Sequence, residues 1–394
     1  MSKPTEPQFD IVIAGGGMAG STLAWALLQA KPELKLAIIE QQADSVSQVS
    51  FDSRSIALAA GSAALLQHWG LWAELEPQAC GIAQIHVSDR GHFAKATLTA
   101  EEYRQKALGY VVEVERLGAL LAKKLAGKAS LSRFAPANIS CIVPQQDRQQ
   151  LTLADGRTLD TRLLLIAEGG QSQSRALAGF TVQERSYQQH AIIANLALKQ
   201  RHQQNAYERF TEQGPIALLP LPDQRYSLVY TVDDTAVEHI MQLDDQAFVA
   251  HVQQAFGYRA GVFNATGKRV CYPLSLRLSG EIVRHRVALL GNSLHNLHPI
   301  AGQGFNLALR DIAELVWQVS SQSADIGGYS MLRAYEQARQ KDLDVVSTAT
   351  DSLVRLFSNR SRSVALLRNI GLLTMTLFDD IKRPLAEHAM GLRS

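Results

Sequence analysis

The stretch FDIVIAGGGMAGSTLAWALLQA, residues 9–30, decides how the chain begins to fold. A short apolar run leads into three consecutive glycines, and apolar residues at helical spacing follow. Gly15, Gly17 and Gly20 fit the spacing G-x-G-x-x-G. A second apolar run, LKLAIIE, ends in Glu40, 25 residues after Gly15. This order predicts a buried strand, a tight turn, a helix and a second strand, which together form a βαβ unit.

The chemistry of such a unit is the binding of an adenine dinucleotide. Glycines let the backbone turn tightly and approach a pyrophosphate at the helix N-terminus, while Glu40 would accept hydrogen bonds from a ribose and repel a 2′-phosphate. The alternative, a glycine-rich helix start that binds nothing, is less consistent with the strand, the spacing and the terminal acid taken together. We therefore expect Gly15, Gly17, Gly20 and Glu40 to bind a dinucleotide.

Composition narrows the class of protein. The 394 residues exceed the usual size of a single hydrophobic core and favour two joined domains. The 39 basic and 37 acidic residues are intermixed, so no nucleic-acid partner is expected. Cys80, Cys141 and Cys271 lie far apart in sequence, which predicts neither a disulfide framework nor a CxxC pair. No apolar stretch is long enough for a membrane span. We expect a cytoplasmic protein.

A second domain is indicated by the β-rich middle of the chain. A hairpin turning at Asp155–Gly156 ends the first part. Between about residues 187 and 276, strands are predicted with one helix near residues 244–256. Their sequences are AIIANLAL, YERFTEQGPIALLPL, RYSLVYTV and RVCYPLSLRL. The first sheet resumes at residue 286, so the dinucleotide-binding domain is discontinuous.

Four ordered motifs carry a family resemblance: GGGMAG with Glu40, FDSRSIAL, IAEGGQSQSR and GNSLHNLHPIAGQGFN. They resemble flavin aromatic hydroxylases of the para-hydroxybenzoate hydroxylase superfamily. FDSRSIALAAGS, VSDRGH, YERFTEQGPIALLPL, HPIAGQGFNLALRD and RNIGLLTM are most similar to its ubiquinone-biosynthesis branch, in particular the 2-octaprenyl-6-methoxyphenol hydroxylases. The resemblance implies bound FAD, NAD(P)H as a transient electron donor, O2, and a polyprenylated phenol as substrate.

The fold class that follows is α/β (α+β overall), with a discontinuous Rossmann-type FAD-binding domain, an inserted β-sheet substrate domain and C-terminal helices. The expected FAD-binding domain comprises residues 1–75, 101–180 and 277–335. The expected substrate domain comprises residues 76–100 and 181–276. The C-terminal helical region comprises residues 336–394.

The resemblance also implies site residues. Gly291 and Asn292 end a strand beside the ribityl chain, a helix beginning at Gly302 to Gly304 faces the flavin ring, and Pro299 lies near its reacting carbon. Catalytic positions are thus Pro299, Gly302 and Gly304. Cofactor-binding positions are Gly15, Gly17, Gly20, Glu40, Arg54, Glu168, Asn292, Gly302, Gln303, Gly304 and Asn306. Asn292 and Glu168 each stand where the superfamily usually has Asp.

Several residues of these motifs have more than one possible role. His295 and His298 lie in an apparent loop with no acid or cysteine nearby in sequence, so no metal site is expected and a packed or hydrogen-bonding role is favoured. Arg54 could instead be a surface arginine, and Arg175 could be a surface or a site residue.

The implied reaction is hydroxylation of 2-polyprenyl-6-methoxyphenol to the 1,4-benzoquinol through a flavin C4a-hydroperoxide. The chain has neither the WxWxIP stretch of halogenases nor paired redox cysteines. Two alternatives stay open: a flavin-dependent reductase or dehydrogenase of an isoprenoid substrate, and a non-catalytic flavin-binding scaffold of a biosynthetic complex. No catalytic base is identified.

The substrate of such an enzyme lies in a bilayer, so a peripheral membrane contact or a partner among other ubiquinone-biosynthesis proteins is expected. From Arg355 to Ser394 there are seven Lys or Arg against three Asp or Glu. The stretch SVALLRNIGLLTMTLF, residues 363–378, predicts an amphipathic helix with these residues along one face: Leu366, Leu367, Ile370, Leu373 and Leu377. Packing of this helix on the flavin domain is an equally good interpretation.

Overall fold

A computed structural model describes residues 7–43, 50–91, 95–297, 303–321, 325–357 and 390–391. The strands are β1 (Phe9–Ala14), β2 (Leu36–Ile39), β3 (Ser55–Ala59), β4 (Cys80–Gly81), β5 (Gln84–Asp89), β6 (Lys95–Thr99), β7 (Gly109–Glu113), β8 (Leu131–Phe134), β9 (Ile139–Pro144), β10 (Gln149–Leu153), β11 (Thr158–Ile166), β12 (Val182–Leu198), β13 (Asn205–Phe210), β14 (Pro215–Leu221), β15 (Arg225–Asp233), β16 (Phe263–Thr266), β17 (Val270–Ser279), β18 (Val283–Arg284), β19 (Val287–Leu289) and β20 (His295–Asn296). The α-helices are α1 (Met18–Ala30), α2 (Ala60–His68), α3 (Trp72–Leu75), α4 (Val114–Leu125), α5 (Gln173–Leu177), α6 (Asp234–Gln242), α7 (Asp245–Phe256), α8 (Gln303–Ser321) and α9 (Tyr329–Phe357). Short 3₁₀ turns cover Glu76–Gln78 and Gly291–Ser293.

The first sheet has the order β18-β19-β11-β1-β2-β8, in which β19, β11, β1, β2 and β8 run parallel. Its central strands are continuous apolar runs because both faces are covered, as parallel sheets require. Val12 in β1 lies opposite Leu164 and Ala37, and all three are fully buried. The β10–β11 hairpin turns at Asp155–Gly156, as the sequence predicts. The predicted βαβ unit is β1–α1–β2.

This topology positions the motifs. In a parallel sheet the carboxyl ends of the strands meet at one edge, where ligands of open α/β folds bind. The strands β1, β2, β11 and β19 end at Ala14, Ile39, Ile166 and Leu289. The segments that follow them are the glycine loop, Glu40, the middle motif and the final motif, so all four emerge along the same edge.

The second sheet has the order β20-β17-β12-β15-β14-β13-β5-β6, with β16 beside β12. Helices α6 and α7 cover one face, where Phe248 and Phe256 pack against alternate residues of β12 and β15. The other face turns toward the first domain. The helix predicted near residues 244–256 is α7, whereas α6 is an addition that begins directly after β15.

A three-stranded sheet, β3-β7-β4, lies where the two larger sheets meet. Of the predicted substrate segment 76–100, β5 and β6 join the second sheet, while β4 joins this small one. Near the C-terminus, the Met390 carbonyl accepts a 2.9 Å hydrogen bond from the Gly61 N–H, and Met390 is buried against Tyr103 and Leu108. The predicted amphipathic helix at residues 363–378 lies outside the described residues.

Candidate active site

The glycine loop holds β1, α1 and the segment that follows β11 in close contact. Gly15 has a φ of +102°, and a Cβ there would lie 2.6 Å from the Ala167 carbonyl oxygen. A Cβ on Gly20 would lie 1.9 Å from the Gly15 carbonyl oxygen. Gly17 differs, because its φ of −66° is ordinary and a Cβ there would meet nothing within 4 Å. Gly15 and Gly20 are therefore required by packing, whereas Gly17 faces open space.

The open space lies at the start of α1. This helix has Gly17 as its N-cap, with no capping side chain and no acid in the first turn. The first N–H groups of a helix lack intrahelical partners and carry a partial positive charge. An uncapped helix end that faces open space fits a phosphate group. The residues present thus fit the pyrophosphate of a dinucleotide, which they would hold through backbone N–H groups.

Glu40 lies against this loop. Its Oε2 accepts a 2.6 Å hydrogen bond from the Gly16 N–H, and its Oε1 accepts a 2.9 Å bond from the Gln42 N–H. The carboxylate is half-buried at the end of β2. The carboxylate therefore contacts the loop that would hold the pyrophosphate. The assignment of Glu40 to a ribose stays a prediction.

The side chain of Glu168, which follows β11, makes its hydrogen bonds within its own turn. Its carboxylate accepts hydrogen bonds from the Ser172 hydroxyl at 2.7 Å and from the Ser174 hydroxyl at 2.6 Å. The Ser174 N–H donates a further bond at 3.0 Å. Both carboxylate oxygens thus organise the turn before α5, and the cofactor contact that the resemblance implies for Glu168 stays a prediction. The reach of a glutamate, one methylene longer than the usual aspartate, is consistent with this arrangement.

Arg175, which the sequence left open, joins the middle and final motifs. Its guanidinium donates 2.8 Å hydrogen bonds to the carbonyls of Ser293 and Gly170. The Ser293 hydroxyl donates to the Gly169 carbonyl at 3.1 Å. Burial, helped by the positive charge of Arg277, lowers the pKa of Arg175 from its usual value. These contacts fasten two segments of the site that are 118 residues apart.

The final motif lies between the starts of two helices. A Cβ on Gly291 would lie 3.4 Å from the Cβ of Ala308 in α8 and 3.6 Å from that of Ala19 in α1. Asn292 is exposed, and its Oδ1 would lie 3.8 Å from a Cβ on Gly304. Asn292, Gly304 and the start of α1 are therefore neighbours. Pro299 and Gly302 lie outside the described residues, as does the side chain of Gln303.

A buried ion-pair network holds this motif in place. The Asp311 carboxylate accepts hydrogen bonds from the Gly291 N–H at 2.9 Å, from His295 Nε2 at 2.8 Å and from Arg339 Nε at 2.6 Å. Both His295 and Asp311 are fully buried. No acid lies near His295 along the chain, but α8 brings Asp311, which is 16 positions away, into contact with it. The hydrogen-bonding role expected for His295 is confirmed, while His298 lies outside the described residues.

The protonation of Asp311 follows from this environment. Burial alone would raise its pKa, but His295, Arg339 and the Gly291 N–H outweigh that effect and hold the pKa below its usual value. The carboxylate is therefore ionised at neutral pH, and each of its partners donates to a negative charge.

Two further predicted site residues act through other contacts. Asn306 in α8 accepts a 2.8 Å bond from the Ala59 N–H and donates a 2.9 Å bond to the Ala57 carbonyl. Its amide therefore connects β3 to α8, and the implied contact with the cofactor stays a prediction. The Arg54 side chain is exposed, while its carbonyl accepts a bond from the Val114 N–H at 2.8 Å.

Two residues that the sequence analysis does not identify connect the second sheet to the first domain. Asn195 in β12 donates to the carbonyls of Phe51 at 2.6 Å and Ser53 at 2.8 Å. Arg225 in β15 pairs with the buried Glu113 of β7 at 3.0 Å. A lone polar residue inside a predicted buried strand, as in AIIANLAL, is the signal that could have indicated Asn195.

The comparisons with known proteins agree with this site. The FAD binding domain family matches residues 8–350. Ubiquinone hydroxylase UbiL of Rhodospirillum rubrum is 34% identical over 391 residues, covering 97% of this chain and 89% of that protein. The mitochondrial ubiquinone biosynthesis monooxygenase COQ6 of Danio rerio is 32% identical, covering 92% and 86%. The 3-demethoxyubiquinol 3-hydroxylase of Escherichia coli is 27% identical, covering 99% and 100%.

Solved structures agree with the fold. An HpxO variant of Klebsiella pneumoniae complexed with FAD superposes with a TM-score of 0.78 at 18% identity, covering 97% of this chain and 99% of that chain. The p-nitrophenol 4-monooxygenase PnpA of Pseudomonas putida gives a TM-score of 0.77 at 15% identity, covering 97% and 98%. These likenesses confirm the predicted fold class. The family match over most of the chain shows, as the motifs indicated, that this protein belongs to the FAD binding domain family.

Proposed function

We propose that this protein is an FAD-dependent monooxygenase of ubiquinone biosynthesis that hydroxylates the ring of a polyprenylated phenol, 2-polyprenyl-6-methoxyphenol, to the 1,4-benzoquinol. The observation that carries the proposal is similarity over nearly the whole chain to proteins named as ubiquinone hydroxylases and monooxygenases. Similarity of this extent includes both sheets, so it covers the substrate side as well as the cofactor side.

The site geometry supports the cofactor half of the proposal. The N–H groups at the start of α1 would hold the pyrophosphate of FAD, and the exposed Asn292 would contact its ribityl chain. Asp311 keeps Gly291 and His295 in place beneath that chain. Bound FAD, once reduced by NAD(P)H, supplies the activation of O2, and we assign Pro299, Gly302 and Gly304 to the surroundings of its ring.

The second sheet supports the substrate half. Its face toward the first domain carries Ile193, Leu219 and Val229 in central strands, and all three are only half-buried. Residues in the middle of a nine-stranded sheet are normally covered, so partial exposure indicates an open space beside them. An apolar wall of this kind suits a prenylated ring and helps to exclude water from it.

A polyprenylated substrate lies in a membrane, so the protein must reach the membrane surface or receive the substrate from a partner. Among the residues that the structure describes, no helix is long and apolar enough to cross a membrane. We infer a peripheral contact with the inner face of the membrane, through the basic segment 355–394, or with another ubiquinone-biosynthesis protein. Flotation with anionic liposomes tests this inference, because Leu366→Asp with Leu373→Asp should reduce flotation while FAD content is kept. Equal flotation of parent and variant would contradict it.

Turnover separates the proposed function from its alternatives. The purified protein with FAD is incubated aerobically with NADH or NADPH and a short-chain substrate, 2-geranyl-6-methoxyphenol, and the products are identified by mass spectrometry. We expect a product heavier by one oxygen atom that requires O2. A product formed equally well without O2 would favour a reductase or dehydrogenase. FAD binding with no turnover of the phenol would favour a scaffold.

A further inference from the structure

Glu208 lies on the face of the second sheet that turns toward the first domain. Side chains alternate along β13, and its neighbour Tyr207 packs on the opposite face against Phe256 of α7. Ala206 shares the face of Glu208 and packs with Val111 of β7, in the small sheet between the domains. Glu208 is therefore directed away from the helices, toward the side where the cofactor would lie.

The register places Glu208 among apolar residues of the substrate-side wall. It lies opposite Ala217 of β14 and Val87 of β5, and Ala217 lies opposite Val229. The adjacent row of this face, two residues along each strand, contains Asn195, which is bonded to Phe51 and Ser53 of the first domain. Glu208 is therefore one row away from the residue, Asn195, that connects the second sheet to the first domain.

The carboxyl of Glu208 has no partner among the described residues. Its Oε1 is enclosed and makes no hydrogen bond, while the residue as a whole is half-buried, like the apolar residues of the wall beside it. Burial raises the pKa of Glu208 to about 8, so the group is largely protonated at neutral pH. An enclosed carboxyl without a partner is destabilising. The contacts around Glu208 therefore give no structural reason for an acid at this position.

Two other polar side chains on this face also have an unpartnered buried oxygen. They are Thr231 of β15, at Oγ1, and Gln189 of β12, at Oε1. Thr231 lies opposite Ala191 in the register, one row beyond the row of Glu208, and Gln189 lies one row further. The three oxygens lie on three strands and in three successive rows of the same face, and that of Glu208 is in the row of Ile193 and Val229. An unsatisfied enclosed oxygen beside an apolar wall is a position where a ligand can supply the hydrogen-bond partner.

We propose that Glu208 hydrogen-bonds the phenolic oxygen of the substrate and so orients the ring toward the flavin, an inference that rests on the proposed function. A protonated carboxyl offers one acceptor and one donor, which match a phenol hydroxyl. The prenyl chain then lies along Ile193, Leu219 and Val229. No proton leaves the substrate in this step, because Glu208 binds and positions it.

Substitution of Glu208 tests this contact through ligand binding, without turnover. Glu208→Gln keeps one acceptor and one donor, whereas Glu208→Leu removes both. Each FAD-loaded protein is titrated with 2-geranyl-6-methoxyphenol and with 3-geranylanisole, which lacks only the hydroxyl group, and binding is followed by flavin absorbance. We expect the parent to bind the phenol about tenfold more tightly than the anisole. Glu208→Gln should keep this preference, and Glu208→Leu should bind both ligands equally.

A matched control is Glu238→Leu, an exposed glutamate of α6 on the far side of the same sheet, which should keep the preference for the phenol. Glu208→Leu should also unfold at a temperature no lower than the parent, because it replaces an unpartnered carboxyl by an apolar group. Glu208→Met, which keeps an unbranched side chain, repeats the test with a different shape.

Three results would overturn the inference. If the parent prefers the phenol and Glu208→Leu does so equally, the contact is elsewhere, while the proposed function stands. If the parent binds neither ligand, the proposed substrate class and this inference fall together. If the Leu and Met variants both lose FAD while Glu208→Gln keeps it, Glu208 has a structural role.

Discussion

Replacement of Gly17 by valine separates cofactor binding from folding. At Gly17 the backbone has φ −66° and ψ −168°, which valine adopts without strain. A Cβ there meets no protein atom within 4 Å. The added methyl groups would therefore occupy only the space in which the pyrophosphate is expected, at the start of α1.

The two effects of the substitution differ in size. Valine is a poorer N-cap than glycine, which costs the helix about 1 kcal/mol, against a typical net stability of about 5–15 kcal/mol. Displacing the pyrophosphate from two backbone N–H groups loses two hydrogen bonds to a charged group, at about 1.5–3 kcal/mol each. The sum of about 3–6 kcal/mol corresponds to a 10²- to 10⁴-fold weaker affinity for FAD.

The assay is the dissociation constant of FAD, measured by fluorescence titration of the protein stripped of flavin, with unfolding followed in parallel. Gly118→Val is the matched control, because Gly118 is exposed on α4 and a Cβ there also meets nothing within 4 Å. Gly20→Ala should instead impair folding, since its Cβ would lie 1.9 Å from the Gly15 carbonyl oxygen. Retention of FAD by Gly17→Val with the affinity of the parent would refute the assignment of the pyrophosphate to this helix end.

Three other substitutions test the rest of the site. Asn292→Asp should preserve or tighten FAD binding, because an ionised acceptor strengthens the bond to a ribityl hydroxyl; a tenfold loss of affinity in the same titration would show that Asn292 faces something else. Asp311→Asn should lower the free energy of unfolding by about 3–5 kcal/mol in urea titrations, because it leaves the charge of Arg339 less compensated. That difference should shrink as pH falls below about 4, because the unfolded parent then binds a proton at Asp311 while the folded parent, whose carboxyl has a lowered pKa, still resists protonation. An unchanged urea midpoint would contradict the role of the network. Glu208→Gln should gain stability over the parent as pH rises from about 4.5 to 8, because in that range the unfolded parent ionises Glu208 while the folded parent, whose pKa is about 8, keeps the carboxyl protonated; a difference in urea midpoint between parent and variant that is the same at pH 5 and pH 8 would count against an enclosed carboxyl oxygen.

Local patterns are sufficient to predict the βαβ unit of the first sheet, its β10–β11 hairpin and the glycine loop. The apolar run, the glycine spacing and the terminal Glu40 are close in sequence, so their geometry follows from strand and helix periodicity. The β-rich middle and α7 were predicted for the same reason. The order of strands in the second sheet, including the parallel pair β13–β5, depends on contacts between distant segments and leaves no local signal.

The contacts that assemble the site were harder to predict. Asp311 meets His295 only because α8 packs against the turn at Gly291–Ser293, and Asn306 bonds to β3 across 247 positions. The place of Glu168 in a motif predicts a cofactor contact, whereas its hydrogen bonds from Ser172 and Ser174 depend on the conformation of the turn and leave no pattern in the sequence. Glu208 lies within a predicted strand, but its unpartnered state depends on the two strands paired with β13, which are β14 and β5.

The most direct test of the central proposal is the origin of the oxygen atom that the product gains. The purified protein with FAD and its preferred nicotinamide donor is supplied with 2-geranyl-6-methoxyphenol under isotopically labelled dioxygen, and a parallel reaction uses labelled water. A monooxygenase predicts that the new ring oxygen carries the label from dioxygen and none from water. A product labelled from water would contradict hydroxylation by activated oxygen and favour the dehydrogenase alternative.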